Sequence, residues 1–193
     1  RRAIEEPARR KGWDFERGLV SIILHDLGAE ENVTSGNRPP EPGALPLLSH
    51  ALLETWKHRR GQVMTLESYA ESGGVRGAIA KTAETVFFRR LNRNQQAIAR
   101  NIFLRLTEPG EGTQDTRRRA LLSELTAHTE TAATTQLVLQ TLAEASLITI
   151  DQESVDVALE ALIREWPALR QWLDEDSEGL SLHRQITEAS QDG

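Results

Sequence analysis

Apolar residues recur along most of the chain at the three- and four-residue spacing of amphipathic helices. The longest pattern is GALPLLSHALLETW, residues 43–56, whose main stripe is Leu45, Leu48, Leu52 and Trp56. Leu47 and Ala51 widen this stripe, so the pattern predicts a central helix that other parts of the protein cover on most sides. Its expected wet strip consists of Ser49, His50, Glu54, Lys57 and His58. Pro46 falls in the first turn, where proline costs little.

The same spacing predicts further helices at about residues 2–11, 16–27, 75–91, 95–106 and 133–145. Within 75–91 we expect one buried face: Ile79, Ala83, Val86, Phe87 and Leu91. Thr65 is a candidate N-cap for a short segment that ends at Ser72-Gly73-Gly74. Residues 29–42, AEENVTSGNRPPEP, hold three prolines and predict a mobile surface loop, whereas 107–112 predict a turn-rich hinge.

Two strand-like runs, 147–150 and 155–158, flank the turn 151–154. Leu121, Leu122 and Leu125 mark a short helix between those at 95–106 and 133–145. Three helices followed by a hairpin predict a winged helix-turn-helix. The following stretch, ALIREWPALRQWLDED, keeps one apolar stripe across Pro167: Leu162, Trp166, Leu169 and Leu173. We therefore expect two helices that meet at a bend, with Pro167 opening the second. The predicted class is mainly α, with a helical bundle at 1–91, a winged helix at 92–160 and a helical extension at 161–193.

Composition narrows the picture. The 193 residues are 38% hydrophobic and 27% charged, and they include no cysteine, which excludes disulfides, cysteine-based zinc fingers and thiol catalysis. No apolar run reaches the length of a membrane span, so we expect a cytoplasmic protein without membrane contact. Because the first residue is arginine, we expect a part of a longer chain.

Charge is distributed unevenly. Net charge is +1 over residues 1–60, +4 over 61–120 and −11 over 121–193. The would-be recognition helix, about 133–145, has no Lys or Arg, although DNA-reading helices usually bring such residues to bases and phosphates. Arg117-Arg118-Arg119 precede the second helix of the predicted winged domain instead. These observations weigh against nucleic acid as a partner of this chain.

Candidate chemistry is sparse. There is no GxxxxGK[ST] phosphate loop and no GxSxG motif, so we expect no ATP hydrolysis by this chain alone. Gly73 to Gly77, with Arg76, could present N–H groups to an anion, but glycine pairs between helices are usually connectors. The five histidines have no metal-ligand spacing, and Glu160 with Glu165 is typical of a solvated helix face.

Four ordered blocks resemble the C-terminal half of the novel STAND NTPases, which are bacterial signal-transduction ATPases that often precede WD repeats. The blocks are residues 43–56, GGVRGAIAKTAETVF at 73–87, EPGEGTQDTRRRA at 108–120 and VDVALEALIREWPALRQWLDEDSEGLSLHR at 155–184. The resemblance implies an AAA+/STAND-type helical lid and a winged helix that close over nucleotide held by a preceding P-loop core. It implies ATP or ADP with Mg in the whole protein, a slow NTPase activity there, attached WD repeats and self-assembly.

The resemblance also implies residues that contact nucleotide. Gly43 and Pro46 match a Gly-x-Pro-like element that packs against adenine, although Gly43-Ala44-Leu45-Pro46 is longer than the strict three-residue form. Leu159 stands where related proteins place a histidine that holds the ADP phosphate, and leucine cannot donate a hydrogen bond. Two other functions stay open: a winged-helix DNA-binding regulator, and a helical scaffold for partner proteins.

Overall fold

The computed structural model describes residues 1–27, 44–110, 115–127 and 132–177. These residues are mainly helical, as the apolar spacing predicts. The chain divides into two compact units, residues 1–81 and 82–193. This division differs from the expected boundaries at 91 and 160, and the three-domain organisation remains a prediction. The loop predicted at 29–42 and residues 178–193 of the predicted helical extension lie outside the described residues.

The first unit combines helices with one small parallel strand pair. Its elements are α1 (Arg2–Arg10), β1 (Asp14–Phe15), α2 (Leu19–Asp26), α3 (Ala44–Lys57), β2 (Val63–Met64), α4 (Leu66–Ser72) and the start of α5 (Gly74–Thr85). Asp14 pairs with Val63 and Phe15 with Met64, so the pair joins two segments that are distant in the chain. The core is built from all the helices of this unit, with buried residues such as Leu19, Ile23, Ala51, Tyr69 and Val75.

Helix α3 spans Ala44–Lys57, within one residue of the predicted stretch 43–56, but the prediction that it is covered on most sides is wrong. Leu45 is 72% exposed, and Leu48, Leu52 and Trp56 are only half-buried. His50, expected on the wet strip, is instead 7% exposed. The reason is that polar residues on the inward face find hydrogen-bond partners, both within α3 and in another helix. The Thr55 hydroxyl donates to the Ala51 carbonyl at 2.8 Å and lies 3.2 Å from the Ser72 hydroxyl.

Helix α4 is delimited by the residues that the sequence indicates. The Thr65 side chain accepts from the Ser68 N–H at 3.1 Å, and the Thr65 N–H donates back to the Ser68 hydroxyl at 2.9 Å. This reciprocal capping box confirms Thr65 as the N-cap. Gly73 ends the helix with φ 94°, a left-handed conformation that glycine adopts without strain. A Cβ at Gly73 would also lie 2.8 Å from the Gly77 carbonyl carbon.

The second unit begins within α5 and contains the rest of the secondary structure. Its elements are a π-helical segment (Val86–Arg90), α6 (Arg93–Arg105), β3 (Thr107–Glu108), β4 (Thr116–Arg117), β5 (Ala120–Leu121), α7 (Leu122–Leu125), α8 (Ala132–Glu144), β6 (Ile148–Asp151), β7 (Ser154–Val157) and α9 (Ala161–Glu165), followed by α10 at 167–177. All five residues of the face predicted for 75–91 are buried. The last turn of that helix is π-helical, and the Gln96 amide donates to the carbonyls of Phe87 and Leu91 there.

The predicted hairpin is confirmed, and it belongs to a larger sheet. Strand β7 pairs antiparallel with β6 on one side and with β5 on the other, so the order is β5-β7-β6. The expectation of a hinge at 107–112 is wrong for its first two residues, because β3 pairs with β4. Helix α8 turns into β6 through Ser146, whose φ is 58°, with the Leu147 N–H donating to the Leu142 carbonyl.

Trp166 lies at the centre of the second unit. It is completely buried between α9 and α10, and its ring lies edge-on to Phe87 and Phe103 with centroid distances of 5.7 and 5.3 Å. Trp172 is 5.1 Å away in the same arrangement. The indole N–H donates to Glu84 Oε1 at 3.0 Å. The stripe of Leu162, Trp166, Leu169 and Leu173 is buried, and α10 begins at Pro167, both as predicted.

Candidate functional site

The start of α3 forms an exposed apolar surface. Pro46 is the third residue of the helix and is exposed, next to the 72%-exposed Leu45. Gly43, the other residue assigned to this element, lies outside the described residues. Proline has no N–H, and leucine has no polar side-chain atom. This surface can therefore pack against a flat apolar group but offers no side-chain hydrogen bond.

Leu159 lies in the short connection between β7 and α9. Its side chain is half-buried, and its carbonyl accepts from the Leu162 N–H at 2.9 Å in the turn that opens α9. The neighbouring Glu160 is exposed and forms no side-chain cap on α9. The side chain of Leu159 consists of carbon and hydrogen alone, so it makes no polar contact with an anion.

The glycine segment at the start of α5 is already occupied by a hydrogen-bond network. The Val75 N–H donates to the Tyr69 hydroxyl at 3.1 Å, and that hydroxyl donates to Asp26 Oδ2 at 2.6 Å. Burial, with the Asp26 bond adding to it, raises the pKa of Tyr69 well above its usual value, so the hydroxyl remains a donor at neutral pH. Arg76 points to solvent. Of the segment considered for anion binding, one N–H is thus used to join α5 to α4 and α2.

Histidines and acidic residues form no metal centre in the part of the chain that the structure describes. His50 is buried, and burial lowers its pKa below the usual 6.5, with the carboxylate of Glu54 acting in the opposite direction. His58 Nδ1 lies 2.9 Å from the Glu54 carbonyl at the exposed end of α3. His128 and His183 lie outside the described residues.

The basic triplet, Arg117 to Arg119, includes one residue that makes hydrogen bonds and an ion pair within the second unit. Arg118 bonds the Arg105 carbonyl at 3.0 Å and Glu124 Oε1 at 3.2 Å, which ties the segment to α6 and α7. All three arginines are exposed, and Arg118 remains so in spite of these contacts. On α8, Thr135 is buried and cannot contact an outside partner. Because α8 has no Lys or Arg, its remaining polar residues are uncharged or acidic. They include Gln140, whose amide donates to Glu144 at 3.0 Å.

One surface was not singled out from the sequence. Trp13 and Trp56 stack on each other in the first unit, with ring centroids 3.7 Å apart. Each tryptophan lies beside a basic cluster, Arg9-Arg10-Lys11 or Lys57-His58-Arg59-Arg60. The two basic clusters are the sequence feature that could have indicated this surface. Their proximity, however, depends on the β1–β2 pairing, which joins residues about fifty positions apart.

The fold and these surfaces define a mainly helical protein of two units. Among the described helices, none is long and apolar enough to cross a membrane. The model of the family Novel STAND NTPase 1 matches residues 1–192, and the chain therefore belongs to this family. No match was found among curated proteins or among solved structures.

Proposed function

We propose that this chain is the regulatory lid and winged-helix portion of a STAND-type signalling ATPase. It would couple the ATP or ADP state of a P-loop core in the same protein to conformational switching or assembly. The observation that carries the proposal is the element order of the second unit. Helix α6 is followed by the β3–β4 pair and then by β5, α7, α8 and the β6–β7 hairpin, and β5 joins that hairpin at β7. This is the order expected of a winged helix, in a chain of the STAND NTPase family.

The residues assigned to nucleotide differ in how well they suit it. The exposed pair Leu45 and Pro46 has the right chemistry to pack against an adenine ring. Leu159 does not suit a phosphate, because its side chain provides no donor or charge. We therefore derive no phosphate contact from Leu159. A nucleotide bound by the P-loop core would supply the energy difference between states, and this chain would respond through apolar packing at α3.

Such coupling has a thermodynamic requirement. A nucleotide shifts an equilibrium between two conformations only by the difference in its affinity for them. Leu45 and Pro46 meet the requirement if they touch nucleotide in one conformation and solvent in the other. An exposed apolar pair suits that role, since its position is not fixed by the core of the first unit.

The DNA-binding alternative is less well supported. Helix α8 has no Lys or Arg, and Leu137 on it is 52% exposed. Among the three arginines before α7, Arg118 is engaged by Glu124. A surface of this kind lacks the cations that provide most of the affinity for duplex DNA.

Exposed leucines on one helix provide a matched test of the nucleotide contact. In the protein that includes the P-loop core, we expect Leu45→Ser to weaken ADP binding about tenfold, the effect of losing roughly half of one leucine's burial on binding. Leu53→Ser is the control, because Leu53 is 49% exposed on the same helix but a little over two turns away. Fluorescent ADP titration gives both affinities. Equal losses in both variants, or no ADP binding by the parent protein, would contradict the proposal.

A second variant tests the position next to α9. If Leu159 faces nucleotide in the closed form, Leu159→His should tighten ADP binding roughly tenfold to a hundredfold, since one charge-assisted hydrogen bond is worth about 1.5–3 kcal/mol. If Leu159 packs within the fold, the same change buries an unpaired polar group. ADP affinity and melting temperature measured together distinguish these results. Unchanged affinity with a lower melting temperature would assign Leu159 to packing.

A further inference from the structure

Two tryptophans and an arginine form a layered stack on the first unit. Trp13 follows α1, and Trp56 is in the last turn of α3; their rings are 3.7 Å apart at 22°. The guanidinium carbon of Arg59 lies 3.6 Å from the centroid of the Trp56 ring. Since both distances are close to van der Waals contact, Trp13 and Arg59 must cover opposite faces of Trp56.

Trp13 is the outer layer of this stack. Trp56 packs against the core of the first unit, but Trp13 is not among the residues that do so. Trp13 is half-buried, and within the described ranges its recorded ring contact is Trp56. One face of the Trp13 indole is therefore not used by another described aromatic ring or by a cation. The position of Trp13 is held by the stack and by its backbone N–H, which donates to the Ala8 carbonyl at 3.0 Å.

The stack is surrounded by positive charge. Six exposed cations follow or precede the two tryptophans: Arg9, Arg10, Lys11, Lys57, Arg59 and Arg60. Two of them are balanced, because Lys57 pairs with Glu54 and Arg60 pairs with Glu67, both at 2.6 Å. The three cations at the end of α1 form no ion pair with a described residue. Four of the six cations thus have no ion pair within the described ranges, and the exposed carboxylate of Asp14 next to Trp13 reduces the local surplus to about three positive charges, on a chain whose net charge is −6.

We propose that this surface, the Trp13–Trp56 platform, binds single-stranded nucleic acid. A base would stack on the outer face of Trp13, and phosphates would contact Arg10, Lys11 and Arg59. Flexible single strands are bound by this combination of aromatic faces and a basic surround, with little dependence on sequence. An acidic peptide would use the cations but not the indole face, so the stack favours nucleic acid. The proposal does not depend on the nucleotide contacts proposed for α3 and concerns a different surface from α8.

The direct test uses the 193-residue chain and a fluorescein-labelled oligothymidylate of 15 nucleotides, followed by anisotropy between 50 and 200 mM NaCl. An abasic strand of the same length and polyglutamate are the comparison ligands. We expect binding at 50 mM salt that weakens steeply with salt, quenching of tryptophan fluorescence, and much weaker binding of both comparison ligands. Equal affinity for the abasic strand or polyglutamate would overturn the proposal and indicate a surface for acidic proteins. Failure to bind at 50 mM salt would overturn it as well.

Variants separate stacking from charge. Trp13→Leu should weaken binding roughly five- to hundredfold, the range for loss of one base–aromatic stack, and Trp13→Phe should restore most of it. The double variant R10Q/K11Q should reduce the slope of log K against log salt by about 1.4, because each phosphate contact contributes about 0.7 for single strands. Its control is R93Q/R170Q, two exposed arginines of the second unit. Circular dichroism of each variant confirms folding. Wild-type affinity in folded Trp13→Leu, or equal salt slopes in the two double variants, would refute the platform.

Discussion

Removing the buried indole of Trp166 should be among the most destabilising single changes in the second unit. The ring is fully buried, contacts three other aromatic rings edge-on or nearly so, and donates to Glu84 Oε1 at 3.0 Å. Truncation of a buried tryptophan to alanine costs about 3–5 kcal/mol in the free energy of unfolding. For a chain of this size, 1 kcal/mol corresponds to about 2–4 °C. Trp166→Ala should therefore lower the melting temperature by roughly 6–20 °C.

The hydrogen bond can be separated from the packing by a double-mutant cycle. Trp166→Phe keeps an aromatic ring but removes the N–H, while Glu84→Ala removes the acceptor. A hydrogen bond to a charged group contributes about 1.5–3 kcal/mol, and solvent access to the partly exposed Glu84 places the expected coupling near the lower limit. Urea unfolding of the two single variants and the double variant gives the coupling energy.

Two results would refute this account of Trp166. A wild-type melting temperature for Trp166→Ala would mean that the indole does not lie in the core. A coupling energy near zero, with large losses for both single variants, would mean that the bond to Glu84 contributes nothing beyond packing. Gln171→Ala, at an exposed position of α10, is the control. It changes the same helix without removing a buried side chain and without the low helix propensity of glycine.

Three further predictions concern the first unit. The buried His50 has a lowered pKa, so the unfolded state binds a proton more readily than the folded state. The contribution of neutral His50 to stability should therefore be fully present above about pH 6.5 and fall as the pH decreases towards the folded-state pKa. The melting temperature of His50→Gln, measured against pH with the exposed His58→Gln as control, should lose this dependence. Tyr69→Phe should cost about 1–3 kcal/mol in urea unfolding, since it leaves the buried Val75 N–H without its acceptor; an unchanged midpoint would contradict the network. Thr65→Ala should cost about 1 kcal/mol through loss of the cap on the Ser68 N–H, and Thr65→Ser should retain most of it, whereas equal losses would exclude capping.

The sequence predicted burial well where a single apolar face accounts for the helix. The stripes from Ile79 to Leu91 and from Leu162 to Leu173 are buried as expected, and the β6–β7 hairpin lies where its two apolar runs and turn indicated. In each case the local pattern and the tertiary environment favour the same face, so spacing alone is informative. Pro167 helped for the same reason, because its fixed φ suits the first turn of α10.

The features that the sequence analysis did not predict depend on partners that are distant in the chain. Thr55 is buried because the Ala51 carbonyl and the Ser72 hydroxyl satisfy its own hydroxyl, and a pattern within α3 does not contain Ser72. Strand β5 has only two residues and is recognisable through its pairing with β7. The π-helical turn is accompanied by a bond from Gln96, which lies in the next helix. Periodicity reports which residues could be buried, whereas satisfied polar groups decide which of them are.

The exposed position of Leu45 shows how this distinction affects the candidate site. From the sequence, Leu45 belongs to the apolar stripe of α3, and a core role would be sufficient to explain it. In the structure the inward face passes instead through His50, Ala51 and Thr55, which leaves Leu45 in contact with solvent. One exposed leucine is ordinary on a protein surface and indicates no function by itself. It becomes informative when compared with Leu53, another exposed leucine of the same helix. If only Leu45 affects nucleotide binding, the contact is specific to the first turn of α3, and general hydrophobicity of the helix surface is excluded as the cause.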